Sequence, residues 1–321
     1  MSVLVLLESV GSAPTPESLA LLPLARSLEI GEVVAVGAVP ENEADALAEA
    51  AAAAGADAVA IAPLAEDEAA LLVTPLVEAL AAAAEETGPR VVLAPASADG
   101  REAAARLAVR LGTSPLWDAD RMPGGEPFVV GKEVLWAQWS VEATCSGPTA
   151  VIVVNPSLTA APAGPGEGRR IDLAPTIAVG ATIHDTTVSE PEDGRPAMPG
   201  AAVVVAGGLG VGSADDWMIV EELADALGAA VGATRSAVDE GWVPFPAQIG
   251  MTGEVIAPRV YIGLGISGAI QHTSGMQRSG LKIAVNEDED ATIFEVADLG
   301  VLADVHEFVP ALIEALKARE A

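Results

Sequence analysis

The first third of the chain alternates between two patterns of apolar and polar residues. Short continuous apolar runs, typical of strands buried on both faces, are followed by stretches in which apolar residues recur with helical spacing. The predicted strands are 3–7, 33–39, 58–62 and 91–94, and the predicted helices are 16–28, 43–54, 68–86 and 101–111. This order predicts a Rossmann-like α/β domain, with a parallel sheet and helices on both faces.

The pattern changes after residue 111. The apolar runs 128–130 and 134–139 predict a hairpin around Gly131 and Lys132, and strands are predicted at 150–154 and 171–181 with no helix between them. Residues 186–200 then read TTVSEPEDGRPAMPG, with three prolines, two glycines and three acidic residues. This composition is typical of a linker, so we expect one domain at 1–190 and a second at 191–321.

A second α/β pattern follows the linker. Strands are predicted at 202–206, 229–233, 260–265, 281–285 and 301–304, and a last helix at 307–318. The first of these strands leads into a glycine-rich turn at 207–212. Ser213 or Asp215 is the predicted N-cap of the helix that ends near Leu227.

Composition and charge narrow the possible functions. Apolar residues make up 51% of the chain but aromatic residues only 3%, so Ala, Val, Leu and Ile dominate the predicted core. The 16 basic and 46 acidic residues give a net charge of −30, which disfavours nucleic acid and anionic membranes as partners. The single cysteine, Cys145, excludes an internal disulfide and a cysteine-built metal site, and we expect a buried, inert thiol. Lacking a basic leader and a long apolar span, the protein is expected to be cytoplasmic and not membrane-embedded.

Candidate binding residues follow the ends of the predicted parallel strands. In such sheets, ligands bind at the carboxyl ends of the strands. The glycine-rich turn is a candidate anion site, but its GGxGxG spacing differs from the dinucleotide fingerprint, so a purely structural turn remains an alternative. Ser267 is the predicted cap of another helix, whose first turn contains Gln271 and His272. Further polar residues at strand ends suggest one shared crevice: Thr234, Arg235, Asn286 and Asp304.

A lone arginine or histidine has an ordinary structural explanation as well. A single arginine after a strand is more often a surface ion pair, and a single histidine is more often part of the packing. We therefore treat His184 and His306 as structural, and leave His272 open between packing and ligand contact at this point.

Longer motifs in the second half carry a resemblance to a known family. The segments VGATRSAVDEGWVP, IGMTG, YIGLGISGAIQHTSGM, IAVNEDEDATIFEVADLGVLAD and VPALIEAL resemble, in order and spacing, the C-terminal domain of the electron transfer flavoprotein α subunit. The resemblance covers about residues 201–316. The N-terminal half is similar to the same family more loosely, best at the step Gly100-Arg101-Glu102.

The resemblance implies an FAD-binding C-terminal α/β domain of the DHS-like type and a heterodimer with a β-type subunit that contacts the N-terminal domain. It also implies the residues that contact FAD, with Arg235 over the flavin ring, Thr252 bonded to flavin N5 and His272 near flavin O2. The full implied set is Thr234, Arg235, Gln248, Ile249, Gly250, Met251, Thr252, Ser267, Gly268, Ala269, Ile270, Gln271, His272, Asn286, Asp304 and Val305.

Several positions depart from the family pattern. Leu209, Met251 and Glu254 stand where the family usually has arginine, glutamine and lysine, and Glu287 stands where it has lysine. Thr234 replaces a serine. Two cations expected near the pyrophosphate are thus neutral or negative here, which bears on FAD affinity and on the flavin potential.

The resemblance implies an electron carrier without bond chemistry by side chains. Such a subunit takes electrons from a flavoprotein dehydrogenase onto FAD and passes them to a membrane or soluble acceptor. Two alternatives remain open from the sequence. One is a docking subunit that retained the fold but binds little FAD, and the other is a nucleotide-binding domain without a redox role.

Overall fold

The computed structural model describes residues 1–135, 139–145, 147–185, 194–198 and 200–320. The chain divides into two compact units, Met1–Thr187 and Val188–Ala321. Most of the predicted linker at 186–200 lies outside the described residues, and the predicted domain limits at 190 and 191 stay a prediction. Both units belong to the α/β class, which confirms the predicted fold class.

The N-terminal unit contains strands and helices in nearly regular alternation through its first half. The strands are β1 (Ser2–Leu6), β2 (Ser9–Val10), β3 (Ala13–Pro14), β4 (Glu32–Pro40), β5 (Ala58–Leu64), β6 (Val91–Pro95), β7 (Pro115–Ala119), β8 (Arg121–Gly124), β9 (Val129–Val134), β10 (Trp139–Thr144), β11 (Ala150–Val154) and β12 (Arg169–Asp172). The helices are α1 (Pro16–Ser27), α2 (Ala44–Ala53), α3 (Glu66–Ala69), α4 (Thr74–Thr87) and α5 (Ala98–Arg110).

Seven of these strands form one parallel sheet in the order β12-β5-β4-β1-β6-β11-β7. Helices cover both faces of this sheet, so successive side chains of β1 pack into two different cores. Val3 and Val5 pack with the apolar residues of α1 and α2, and Leu4 and Leu6 pack with those of α4 and α5. The central strands are therefore buried on both faces, as their continuous apolar runs predict.

Two predicted elements of this unit have the wrong bounds. The predicted helix 68–86 is two helices, because Pro75 lies in the first turn of α4 and cannot continue a preceding helix. The predicted strand 171–181 ends at Asp172, shortly before Pro175, which has no N–H for a sheet ladder.

The predicted hairpin turn at Gly131 and Lys132 is also wrong. Both residues lie inside β9 and face Glu142 and Val141 of β10 in an antiparallel pair. The connection between β9 and β10 includes residues 136–138, outside the described residues. Cys145 is buried, as predicted, with its Sγ 3.7 Å from the carbonyl oxygens of Gly147 and Thr149, and the inertness of the thiol stays a prediction.

The C-terminal unit is built on a five-stranded parallel sheet. Its strands are β13 (Val203–Gly207), β14 (Ala230–Ala233), β15 (Val260–Leu264), β16 (Leu281–Asn286) and β17 (Leu299–Leu302), in the order β14-β13-β15-β16-β17. Its helices are α6 (Met218–Leu227), α7 (Arg235–Asp239), α8 (Ile270–Met276), α9 (Ile293–Val296) and α10 (Val305–Glu320). Residues of α6 and α10 cover one face of the sheet, and residues of α8, α9 and the segment around Ile249 cover the other.

The predicted helix caps in this unit are wrong. Helix α6 begins only at Met218, and the Ser213 hydroxyl accepts from the backbone N–H of Asp216 in a local turn. Ser267 does not cap α8, because Ala269 precedes that helix and the Ser267 carbonyl accepts from the backbone of Ile293. The last strand lies earlier than predicted and ends at Leu302, and α10 begins earlier than predicted, at Val305.

Candidate functional site

A cavity of about 520 Å³ lies at the carboxyl ends of strands β13 to β16. Because all strands of this sheet run parallel, the segments that follow them meet at one edge. The cavity is lined by Gly208, Leu209, Gly210, Thr234, Arg235, Ser236, Gln248, Ile249, Gly250, Met251, Thr252, Gly265, Ile266, Ser267, Ala269, Gln271, His272, Asn286 and Asp288.

Twelve of the sixteen residues implied by the resemblance line this cavity. They come from the end of β14, the loop 248–252, the turn before α8 with its first helical turn, and the end of β16. Gly268, Ile270, Asp304 and Val305 are not among the lining residues. Asp304 is exposed after the edge strand β17, where its carboxylate accepts from the N–H of His306, while the Val305 side chain packs in the core.

Hydrogen bonds within the loop 248–252 and to two neighbouring segments hold the loop in place. The Gln248 side chain is buried, and its Nε2 donates to the Thr252 hydroxyl at 3.0 Å. The backbone N–H of Ile249 donates to the carbonyl of Ala233, and that of Met251 donates to Gln271 in α8 at 2.8 Å. Glycine is needed at position 250, where the loop passes close to α8. Its φ is +140°, and a Cβ there would lie 2.4 Å from the Gln271 carbonyl oxygen.

The turn before α8 presents unused backbone donors. Within the described part of the chain, the N–H groups of residues 267–271 have no hydrogen-bond acceptor. Gly268 has φ +94°, and a Cβ there would lie 2.1 Å from the backbone nitrogen of Ile293. The turn is therefore packed tightly from behind by residues at the start of α9, while its donors remain available to an anionic ligand.

Arg235 supplies the positive charge of the cavity. Thr234 caps α7 through its hydroxyl, which places Arg235 at the first position of that helix. The guanidinium is 3.2 Å from the Asp239 carboxylate, and both side chains are more than half exposed. Among the described lining residues, Arg235 is the basic side chain and Asp288 the acidic one. Such an exposed ion pair holds Arg235 only weakly, so the guanidinium can turn toward a ligand.

His272 is a buried lining residue with partners at both ring nitrogens. Its Nε2 lies 2.7 Å from the Tyr261 hydroxyl, and its Nδ1 lies 3.2 Å from the Ile249 carbonyl oxygen. Burial lowers the pKa of His272 to about 4, and the bond to the Ile249 carbonyl offsets only part of that effect. The imidazole is therefore neutral at neutral pH.

Asn286 lies at the end of β16 and is buried. Its Nδ2 donates to the carbonyl of Ile266 at 2.9 Å, and its Oδ1 accepts from the N–H of Asp288. Asn286 thus joins the segment after β15 to the segment after β16, and it fixes the position of Asp288 at the cavity wall.

Ser236, Gly265, Ile266 and Asp288 line the cavity without having been predicted, and Tyr261, which contacts His272, was missed as well. Tyr261 reads as an ordinary core residue of a strand, and Asp288 as one of several acidic residues in a loop. A signal for Tyr261 was present, since it is the only tyrosine in the chain and a buried phenol needs a hydrogen-bond partner. Within the described residues, no cluster of acidic residues, histidines and cysteines fits a metal ion, and no helix is long and apolar enough to span a membrane.

Comparison with known proteins gives matches across nearly the whole chain. Residues 3–176 match the family model described as electron transfer flavoprotein domain, and residues 197–277 match the electron transfer flavoprotein FAD-binding domain. The electron transfer flavoprotein subunit alpha of Mycobacterium leprae (strain TN) is 43% identical over 320 residues, which is 99% of this chain and 98% of that protein.

Two further relatives carry the same name. The protein of Mycobacterium tuberculosis (strain CDC 1551 / Oshkosh) is 43% identical over 322 residues, covering 99% of each chain. The protein of Pseudomonas aeruginosa is 38% identical over 227 residues, covering 70% of this chain and 72% of that protein. The similarity therefore extends over both units and includes the sheet that carries the cavity.

Proposed function

This chain belongs to the electron transfer flavoprotein α-subunit family, and from this premise we propose that the cavity of its C-terminal unit is where FAD binds. The predicted family, the FAD cofactor and the role in electron transfer are confirmed by the comparisons. The position of FAD and the residues that contact it are our proposal. The observation that carries it is the meeting of twelve predicted contact residues in one cavity.

The donors around the cavity fit an FAD molecule. FAD combines a diphosphate with a flat ring system that has an apolar and a polar side, and when bound it takes up and releases electrons. The unused N–H groups of Ser267, Ala269 and Gln271, which line the cavity, suit the diphosphate oxygens. The cavity volume lies within the usual range for ligand pockets, roughly 300–1,000 Å³.

Particular side chains supply particular contacts in this proposal. Gln248 donates to the Thr252 oxygen, so the Thr252 hydroxyl proton is left to point into the cavity as a donor. Arg235 provides a cation that stabilises negative charge on a reduced ligand. Asn286 is assigned to the adenosine end, while contacts of Asp304 and Val305, which do not line the cavity, stay a prediction.

We also propose the direction of electron flow and the partner. The chain accepts electrons from a flavoprotein dehydrogenase, passes them to a membrane or soluble acceptor, and does no bond chemistry with its side chains. The family implies a β-type subunit as partner, and we propose that the N-terminal unit contributes to that contact. A cytoplasmic location stays a prediction.

The direct experiment is to purify the chain with its β-type subunit and to count the FAD. Acid extraction followed by chromatography is expected to give about one FAD per α chain, and the visible spectrum should be that of a flavoprotein. Colourless protein that also fails to bind added FAD would contradict the proposal and favour a docking subunit.

A further inference from the structure

Three groups from three different elements form a buried hydrogen-bonded chain at the cavity wall. The Tyr261 hydroxyl on β15 contacts Nε2 of His272 on α8 at 2.7 Å. Nδ1 of the same ring contacts the carbonyl oxygen of Ile249, in the loop 248–252, at 3.2 Å. Tyr261 has no exposed surface, and His272 is 5% exposed. The chain therefore connects strand, helix and loop away from water.

The chemistry of these groups fixes the position of each proton. A backbone carbonyl can only accept a hydrogen bond, so Nδ1 of His272 must carry a proton. A neutral ring then has its lone pair on Nε2, and the Tyr261 hydroxyl must donate to it. The opposite tautomer would place the Nδ1 lone pair against the Ile249 oxygen and leave that oxygen without this donor.

The surroundings keep the ring uncharged. Tyr261 is the titratable group that faces His272 from β15, and burial raises the Tyr261 pKa far above its usual range. The contacts of His272 with the loop and with α8 are to backbone groups. Arg235 and Asp288 are the ionised groups that line the same cavity, and neither forms an ion pair with His272 within the described residues.

Both ring nitrogens are therefore engaged inside the protein. A hydrogen bond from His272 to a ligand, as the family resemblance implies at flavin O2, would require one of two buried bonds to break. Breaking either would leave a buried polar group without a partner, which is costly.

We propose that Tyr261 is a positioning residue of the cofactor site. Its hydroxyl fixes His272 as a neutral ring with the proton on Nδ1, and the ring in turn holds the Ile249 carbonyl and the loop 248–252 in the shape that receives FAD. The last step rests on the proposed function. The hydrogen-bond chain itself is a property of the protein without FAD, so the two can be tested separately.

The first test is the tautomer of His272 in the wild-type heterodimer, with and without FAD. In a ¹⁵N-histidine-labelled sample, H272Q identifies the His272 signals among those of His184 and His306. We expect a protonated Nδ1 and an unprotonated, hydrogen-bonded Nε2 that do not titrate between about pH 5.5 and 8, where an ordinary histidine does. A protonated Nε2, or titration in that range, overturns the proposal whatever the behaviour of Y261F.

The second test is Y261F, which removes the hydroxyl and keeps the ring. We expect the Nε2 signal to move downfield, to the position of a nitrogen that accepts no bond, and FAD to bind ~5- to 10-fold more weakly, equivalent to one buried hydrogen bond. The matched control is S279A, which removes another buried hydroxyl, donating to the Met276 carbonyl at 2.6 Å, without contact to His272. This control should change neither signal nor affinity.

The outcomes separate the two claims. If Y261F leaves the Nε2 signal and the FAD affinity as in wild type, Tyr261 is not a positioning residue. If S279A weakens FAD as much as Y261F does, the effect is general destabilisation and the proposal is overturned. If wild type shows the expected tautomer but binds no FAD, the proposed function fails, and with it the role of Tyr261 toward FAD, while the hydrogen-bond chain stands.

Discussion

At the scale of single residues, the cavity has little positive charge to offer a diphosphate. Leu209 lines it and is 49% exposed, at a position where the family resemblance leads one to expect arginine. The charges of Arg235 and Asp288 balance each other among the described lining residues. Binding of the diphosphate therefore depends mainly on backbone N–H groups and side-chain hydroxyls.

Restoring the cation should tighten FAD binding. L209R places a guanidinium at the half-exposed edge of the cavity, where attraction to a dianion at an effective dielectric of ~20 is appreciable. We expect the dissociation constant of FAD to fall several-fold at low salt and the gain to shrink at high salt, because salt screens exposed charges. Flavin fluorescence titration measures both.

The neutral variant L209Q is the control for the change in side-chain shape. It should bind FAD as wild type does. A gain of equal size in L209Q, or a gain in L209R that is insensitive to salt, would show that charge at this position is not what matters.

Single residues of the site could be predicted only where a motif marked them. Thr234 and Arg235 follow a strand end that the apolar pattern already locates, and the structure places both at the cavity. The hydrogen-bond partner of Tyr261 could not be assigned, because the bond depends on a residue eleven positions away being turned toward its hydroxyl. That pairing is a tertiary contact, which local pattern does not encode.

At the scale of elements, one ion pair connects the two helices on the same face of the N-terminal sheet. Glu78 of α4 and Arg110 of α5 form two hydrogen bonds of 2.6 Å each. The hydrogen bonds from Arg110 lower the Glu78 pKa, against the opposing effect of burial. A carboxylate with a lowered pKa stabilises the fold above its unfolded pKa, and that stability is lost as the pH falls through the folded value.

E78Q should therefore destabilise the N-terminal unit in a pH-dependent way. We expect a loss of about 1 kcal/mol in the free energy of unfolding at neutral pH, a value that allows for the partial exposure of Arg110. The loss should shrink as the pH is lowered through the depressed pKa of Glu78. Urea denaturation at a series of pH values measures it.

E102Q on α5, the helix that also carries Arg110, provides the comparison. Glu102 pairs with Arg106 at 3.1 Å, but both side chains are more than a third exposed, so its removal should cost less than ~0.5 kcal/mol. Equal losses in the two variants at all pH values would contradict the special role of the Glu78–Arg110 pair.

Elements could be predicted better than their ends. Continuous apolar runs located β1, β4, β5 and β6 because buried parallel strands need them on both faces. Helix starts were less reliable, since Ser267 looks like a cap but its carbonyl is used by the backbone of α9. Pro75 marked the break between α3 and α4 locally, but the periodic apolar pattern suggested one continuous helix.

At the scale of the whole molecule, the chain is expected to work as one half of a heterodimer. Co-expression with a β-type subunit should give a 1:1 complex by light scattering, and the complex should retain FAD better than the α chain alone. A well-behaved α monomer with full FAD content, unchanged by any β-type chain, would contradict this expectation.

The fold class and the family could be predicted from the sequence because both units repeat strand–helix patterns and the second carries long motifs. The limits of the domains at 190 and 191 were inferred from composition and stay a prediction. The way in which the partner is bound could not be predicted, because a docking surface has no required periodicity.

The flavin potential of R235A tests the central claim most directly, because it shows whether the charge of a cavity residue changes the potential of bound FAD. A spectroelectrochemical titration should show a lower one-electron potential than wild type by some tens of millivolts, taking a coupling of ~1 kcal/mol and ~2.3 kcal/mol per 100 mV. R235K should retain part of the difference. D239N, which breaks the 3.2 Å ion pair but keeps the cation, should not lower the potential. An R235A potential equal to that of wild type would mean that FAD does not lie in this cavity beside Arg235.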